Sequence, residues 1–150
     1  MASSQASEFQ VNTARDALAL LSRLAYDKFG DEALPLIVEV CHKLGIVSGE
    51  KTRKTMSASG LKASAETFIV GAKKRGTPIE VLEMSDERVH IRSYRCGMGL
   101  ANTDRKLCEA VMAMDRAIYE ITSGKKIHLD IVKTLAAGDP CCENILTVVE

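Results

Sequence analysis

The sequence contains no tryptophan, and phenylalanine and tyrosine number only three each in 150 residues. A core with so few large rings must close on aliphatic, methionine and cysteine side chains, so periodicity carries the fold signal. No apolar run approaches the roughly 18 residues that a membrane-crossing helix needs, and no membrane partner is expected. No charge of one sign prevails, since 20 Lys and Arg balance 20 Asp and Glu. The longest basic block, Lys73-Lys74-Arg75, is too short for a nucleic-acid footprint, so no nucleic-acid partner is expected. It fits the end of a helix, where the dipole favours cations. There is no Cys-x-x-Cys and no His-x3-His, which excludes a local zinc knuckle. A phosphate-binding glycine loop and a nucleophile-elbow serine are missing as well. Residues 1–10 lack a basic n-region and an apolar stretch, so they read as a disordered tail rather than a signal peptide. Residues 11–150 then form a single domain. The five cysteines are an odd number without the spacing of a disulfide scaffold, which predicts free thiols in a reducing cytoplasm.

What is present organises into helices first and strands second. Thr13 with Asp16 forms an N-terminal cap for a first helix with Leu18, Leu21 and Leu24 as its apolar stripe, stopped by Gly30. A second helix, capped by Asp31 and carrying Pro35 in its first turn, presents Leu34, Ile37, Val38, Cys41 and Leu44 and ends at Gly45. So short a connection predicts that these two pack as an antiparallel pair. Ser48 to Gly60 reads as a connection, and Leu61 to Arg75 as a third helix. Pro78–Met84 and Arg88–Tyr94 then form a hairpin with Val89 and Ile91 on one face and His90 and Arg92 on the other. Asn102-Thr103-Asp104 caps a long helix reaching about Thr122. A last hairpin joins Lys126–Val132 to Glu143–Val149 through Gly138-Asp139-Pro140-Cys141-Cys142. The predicted fold is α+β, with an antiparallel sheet of about four strands in two hairpins. The N-terminal helices and the one long helix between the hairpins cover it.

Chemistry-bearing residues cluster in the second half. On the long helix, Asp104, Cys108, Met112 and Asp115 form a stripe beside the core stripe of Leu107, Val111, Met114, Ile118 and Ile121. Cys96 lies in a strand-to-helix loop beside Gly97 and Gly99, next to a helix N-terminus that favours anions. In the final turn, Cys141 and Cys142 face opposite sides, so only one can enter a given pocket. Each feature has a plain alternative: cysteine packs as a small hydrophobe, and Asp139 can close its own turn. Cys41, in a core stripe, reads as structural, and His90 and His128 as surface residues.

A helical first half, Arg95-Cys96 at a strand end, Asn102, Leu107-Cys108 in the next helix, and Thr134-Leu-Ala-Ala-Gly-Asp-Pro-Cys-Cys-Glu together resemble the L-2-amino-thiazoline-4-carboxylic acid hydrolase-like family. Its closing motif matches Thr134, Leu135, Gly138, Asp139 and Cys142. The resemblance implies a cytoplasmic hydrolase that opens a ring containing a C=N bond. The last hairpin also resembles 4-vinyl-reductase-type small-molecule-binding domains, some of which hold zinc with cysteines. Thr134 stands here at one such cysteine position, which weakens a thiolate-bound zinc, and no cofactor is expected.

The leading expectation is hydrolysis of a small carboxylate-bearing heterocycle of the 2-amino-thiazoline-4-carboxylate kind. Cys96 and Cys108 would be the catalytic thiols, Asp115 or Asp139 the general acid or base, and Arg92 or Arg95 the carboxylate anchor. Asn102 and Cys142 would complete the substrate site. The alternative is a non-catalytic domain that binds a small molecule or metal with the same cysteines. A third reading makes the cysteines core filler and an apolar helix face the seat of a homo-oligomer.

Overall fold

The computed structural model describes residues 9–150. Most of the expected tail, residues 1–8, lies outside them. Helix α1 (Ala14–Phe29) begins with the predicted capping box: Thr13 Oγ1 accepts the N–H of Asp16, and the Asp16 carboxylate accepts the N–H of Thr13. A 3-10 turn at Gly30–Ala33 leads into α2 (Leu34–Thr55), and α3 spans Leu61–Lys74. Strands β1 (Ile79–Met84) and β2 (Arg88–Ser93) form the first hairpin. Helices α4 (Arg105–Val111) and α5 (Ala113–Ser123) follow, then β3 (Ile127–Lys133), a 3-10 turn at Leu135–Ala137, and β4 (Cys142–Val148). The sheet is antiparallel throughout in the order β1-β2-β4-β3, so the two hairpins join through their second strands. The α+β expectation is therefore met.

Three local expectations need correction. Gly45 does not end α2, which continues through Gly49 to Thr55 and absorbs most of the predicted connection. Both glycines instead allow contact with α5. A Cβ on Gly45 would collide with the carbonyl oxygen of Met114 and stand 2.8 Å from the Ala117 Cβ, and one on Gly49 would stand 2.9 Å from the Ile121 Cβ. Secondly, α1 and α2 do not form an antiparallel pair, because α2 lies along α5. Thirdly, Leu21 and Leu24 point outward while Ala19, Ser22 and Arg23 are buried. Arg23 is tolerated inside because it donates to the carbonyl of Gly99 at 3.0 Å and lies over the Phe9 ring.

Two apolar clusters meet at the middle of the molecule. One gathers Ile37, Cys41, Leu107, Val111 and Met114 between α2, α4 and α5. The other sets Val89, Ile91 and Leu146 of the central strands against Leu61, Ala65 and Tyr119. The single long helix predicted between the hairpins is interrupted at Met112, which serves as the C-cap of α4 and the N-cap of α5. Hydrogen bonds from Met112 N to Cys108 O and from Arg116 N to Met112 O carry the direction across the break. The side chains of α4 and α5 thus continue to face the sheet.

Candidate active site

Strand alternation gives the sheet an inner face of Ile91, Ser93, Cys142, Asn144, Leu146, Leu129 and Ile131. The pairings Ser93 with Cys142 and Ile91 with Asn144 keep these side chains in rows. Between this face and the helices lies a cavity of about 580 Å3, within the range of small-molecule sites. Cys108, Met112, Asp115 and Tyr119 line it from α4 and α5, Phe68, Ala72 and Arg75 from the end of α3, and Thr13, Arg15 and Asp16 from the start of α1. The loop Arg95–Met98 closes another side.

Cys96, Cys108 and Cys142, far apart in sequence, line this one cavity together with Asp115, Arg92 and Arg95. Each thiol has a defined partner. The Cys96 sulfur accepts the N–H of Leu100 at 3.4 Å, and the Cys142 sulfur that of Leu135 at 3.5 Å. Thr134 Oγ1 donates to the Cys108 sulfur at 3.2 Å. Burial pushes the Cys108 thiol up to about 11, against the opposing Thr134 hydrogen bond, and it raises Cys142 too. Both are therefore neutral thiols near pH 7. Cys141 is buried away from the cavity and Cys41 sits in the helical core.

Asp115 lines the cavity and is partly buried. Burial raises its carboxyl pKa, while Arg15 and Arg75 pull the other way. No hydrogen bond or ion pair to it occurs among the described residues. Tyr119, one helical turn further on, is 2% exposed and its hydroxyl has no partner among the described residues. Its ring stacks on Phe68 with centroids 4.8 Å apart.

Asp139 and Asn102 stand outside the lining. Asn102 takes a left-handed conformation and donates its N–H to Leu135 O at 2.8 Å, tying the loop before α4 to the turn before β4. Arg92 borders the cavity, but its guanidinium is on the opposite face of β2, where Nε and Nη2 both bind Glu143 Oε1 at 3.0 and 2.8 Å. Arg95 is exposed and reaches the carbonyl of Gly76 at 3.4 Å. Among the described residues, no three His, Cys, Asp or Glu side chains are placed to hold a metal ion. With Thr134 bonded to Cys108 in place of a fourth thiolate, the set does not fit zinc.

Sequence reasoning missed Arg15, Arg75 and Tyr119 as cavity residues, and it named Thr134 only through the family motif, without its bond to Cys108. Of the three missed, only Tyr119 left a local signal, falling four residues after Asp115 on the same helical face.

The family described as L-2-amino-thiazoline-4-carboxylic acid hydrolase matches this chain over residues 12–145. No curated protein matches the chain in sequence. One similar solved structure is the phenol-responsive sensory domain of the transcription activator PoxR with phenol, at 15% identity and a TM-score of 0.68, covering 93% of this chain and 76% of that one. Another is a trafficking protein particle complex subunit 3 from Naegleria fowleri covalently bound to palmitic acid, also at 15% identity and 0.68, covering 91% and 96%. At such identity these two establish a shared fold.

Proposed function

The chain belongs to the L-2-amino-thiazoline-4-carboxylic acid hydrolase family, and from that premise we propose that it opens a small carboxylate-bearing ring at a C=N bond inside the central cavity. The observation that carries the reading is the convergence of Cys96 and Asp115 on that one cavity. Hydrolysis of a cyclic amidine needs a nucleophile at the amidine carbon and an acid for the ring nitrogen that leaves. Cys96, half-exposed on its loop, is the proposed nucleophile. Its sulfur adds to the C=N carbon while the thiol proton passes to the ring nitrogen. The remaining carbon–nitrogen single bond breaks once that nitrogen takes a second proton, so that it leaves as an amine and the carbon becomes double-bonded to its other nitrogen. Asp115 is the proposed proton donor, since burial favours its neutral form. Water then attacks the thioester-like carbon, and Asp115, now a carboxylate, accepts the water's proton while the Cys96 sulfur is released.

In this reading Cys108 and Cys142 shape the pocket as neutral thiols, and Asp139 and Asn102 hold its supporting loops. The ligand is a small molecule, and the five free cysteines fit a reducing cytoplasm. No helix among the described residues is long and apolar enough to cross a membrane. The test is turnover of 2-amino-thiazoline-4-carboxylate by the wild type and by Cys96→Ser. Unaltered turnover in the variant removes the thiol from the mechanism.

A second reading, a binding domain without turnover, draws on the unpartnered hydroxyl of Tyr119, a residue of the cavity lining, and on the ligand-bound state of both similar structures. It is separated from the first by saturable binding of the same compound with no product formed.

A further inference from the structure

The cavity holds a second set of polar groups that the proposed chemistry leaves unused. Arg15 and Arg75 both line it, and among the described residues neither has a carboxylate within ion-pair distance. Among the described residues, Arg15 donates only to the thioether of Met98 at 3.3 Å, a weak acceptor. Arg75 lies 5.8 Å over the ring of Phe68, which in turn stacks on Tyr119. Arg92, with its guanidinium already on Glu143, is spoken for.

The buried Tyr119 hydroxyl adds the independent observation. A fully buried donor without a partner costs free energy and is rare in folded proteins unless something else satisfies it. Here Tyr119 with its unpartnered hydroxyl, its stacking partner Phe68, and two arginines without a carboxylate partner among the described residues all belong to the lining of the same cavity. An anionic group attached to a flat ring answers all of them at once. Guanidinium forks match a carboxylate in shape and charge, and a ring edge fits beside stacked aromatics. Asp115, one turn from Tyr119 on the same helix and held toward its protonated form by burial, would face the nitrogen-bearing edge of such a ring as a hydrogen-bond donor.

We propose that Arg15 and Arg75 are the carboxylate anchor of the cavity, that Tyr119 donates its hydroxyl to the same bound carboxylate, and that the site selects flat, carboxylate-bearing nitrogen heterocycles. This names the recognition half of the site and rests on the hydrolase reading only for the ligand's class.

The probes are 2-aminothiazole-4-carboxylate, an aromatic analogue that resists ring opening, and 2-aminothiazole, which lacks the carboxylate. Titration calorimetry with the wild type, Arg15→Gln, Arg75→Gln and Tyr119→Phe reads the contacts separately. Each arginine variant is expected to bind the carboxylate roughly tenfold or more weakly, the loss typical of a charged hydrogen bond. Affinity for 2-aminothiazole should stay as it is in the wild type. Tyr119→Phe should weaken the carboxylate while leaving the melting temperature of the free protein unchanged or raised, because no internal hydrogen bond is lost. A lower melting temperature with unchanged affinity would mean that the hydroxyl is structural, and overturns its part in the proposal.

Equal affinity for the carboxylate in wild type and the Arg15→Gln/Arg75→Gln double variant overturns the anchor. Turnover of the thiazoline with an unmoved KM in that variant does the same and leaves the hydrolase reading standing. Carboxylate-dependent binding without turnover upholds the anchor and removes the hydrolase. Failure of the wild type to bind either probe overturns the selection proposed here.

Discussion

Asp139 and Thr134 grip each other twice: Asp139 Oδ2 accepts the N–H of Thr134 at 2.9 Å, and Asp139 N donates to the Thr134 carbonyl at 3.2 Å. The Gly138-Asp139 stretch therefore folds the link between β3 and β4, with Gly138 in a left-handed conformation. That link sets the positions of Thr134 and Cys142 at the cavity wall. Asp139→Ala should destabilise the protein by about 1.5–3 kcal/mol, the range for a lost hydrogen bond to a charged group. It should also speed alkylation of Cys142. Urea denaturation and mass-spectrometric labelling check the two effects.

Gly45→Ala weighs helix propensity against space. Alanine gains up to about 1 kcal/mol in a helix interior, but its Cβ would meet Met114 O and Ala117 on α5. Backbone cannot swing aside like a side chain, so overpacking should prevail, with a net loss of about 1–2 kcal/mol. A raised denaturation midpoint would contradict the close approach of α2 and α5.

This glycine also marks where sequence reading failed. A helix-ending glycine and one that admits a neighbouring helix are the same letter, and only the partner α5 distinguishes them. The strands were legible because Val89 and Ile91 alternate with His90 and Arg92 in a local pattern, and the α1 cap because Thr13 and Asp16 are three residues apart. The cavity was half legible. Cys96, Cys108 and Cys142 drew notice as unusual residues, whereas Arg75 read as a helix-end cation and Arg15 carried no signal. Their convergence is tertiary and leaves no spacing to read.

Asp115→Asn should lower turnover by about 10²–10⁴, the usual contribution of a general acid or base, without loss of stability. Burial raises this carboxyl above its ordinary value of 3.8, so the folded state holds the proton more tightly than the unfolded one. Wild-type stability should therefore fall as pH rises from about 3.8 toward the folded value. The variant should lack this decline, which thermal melts across that range would register.

Glu143 has the opposite sign. Arg92 and then His90 hold its carboxyl below the ordinary value of 4.5. His90 Nε2 is 3.1 Å from Glu143 Oε2, close enough for an ion pair although poorly aligned for a hydrogen bond. The stabilisation is present above pH 4.5 and is lost as pH falls through the depressed folded value. Arg92→Ala should flatten that acid-side loss in melting temperature.

Cys108, with its thiol pushed up to about 11, should resist iodoacetamide at neutral pH and react faster as pH approaches that value. Thr134→Val removes the hydrogen bond to its sulfur, and should raise the thiol further and slow labelling at a fixed alkaline pH.

The cavity's walls differ in how readily they can part. Its floor is made by β2 and β4, each with a strand on both sides. One edge is the first turn of α1, where Thr13, Arg15 and Asp16 stand under a capping box rather than a ladder. Amide exchange should be slowest along the floor and fastest at that turn. A molecule entering or leaving would then pass where the chain breathes most, and the α1 cap would be the wall that parts first.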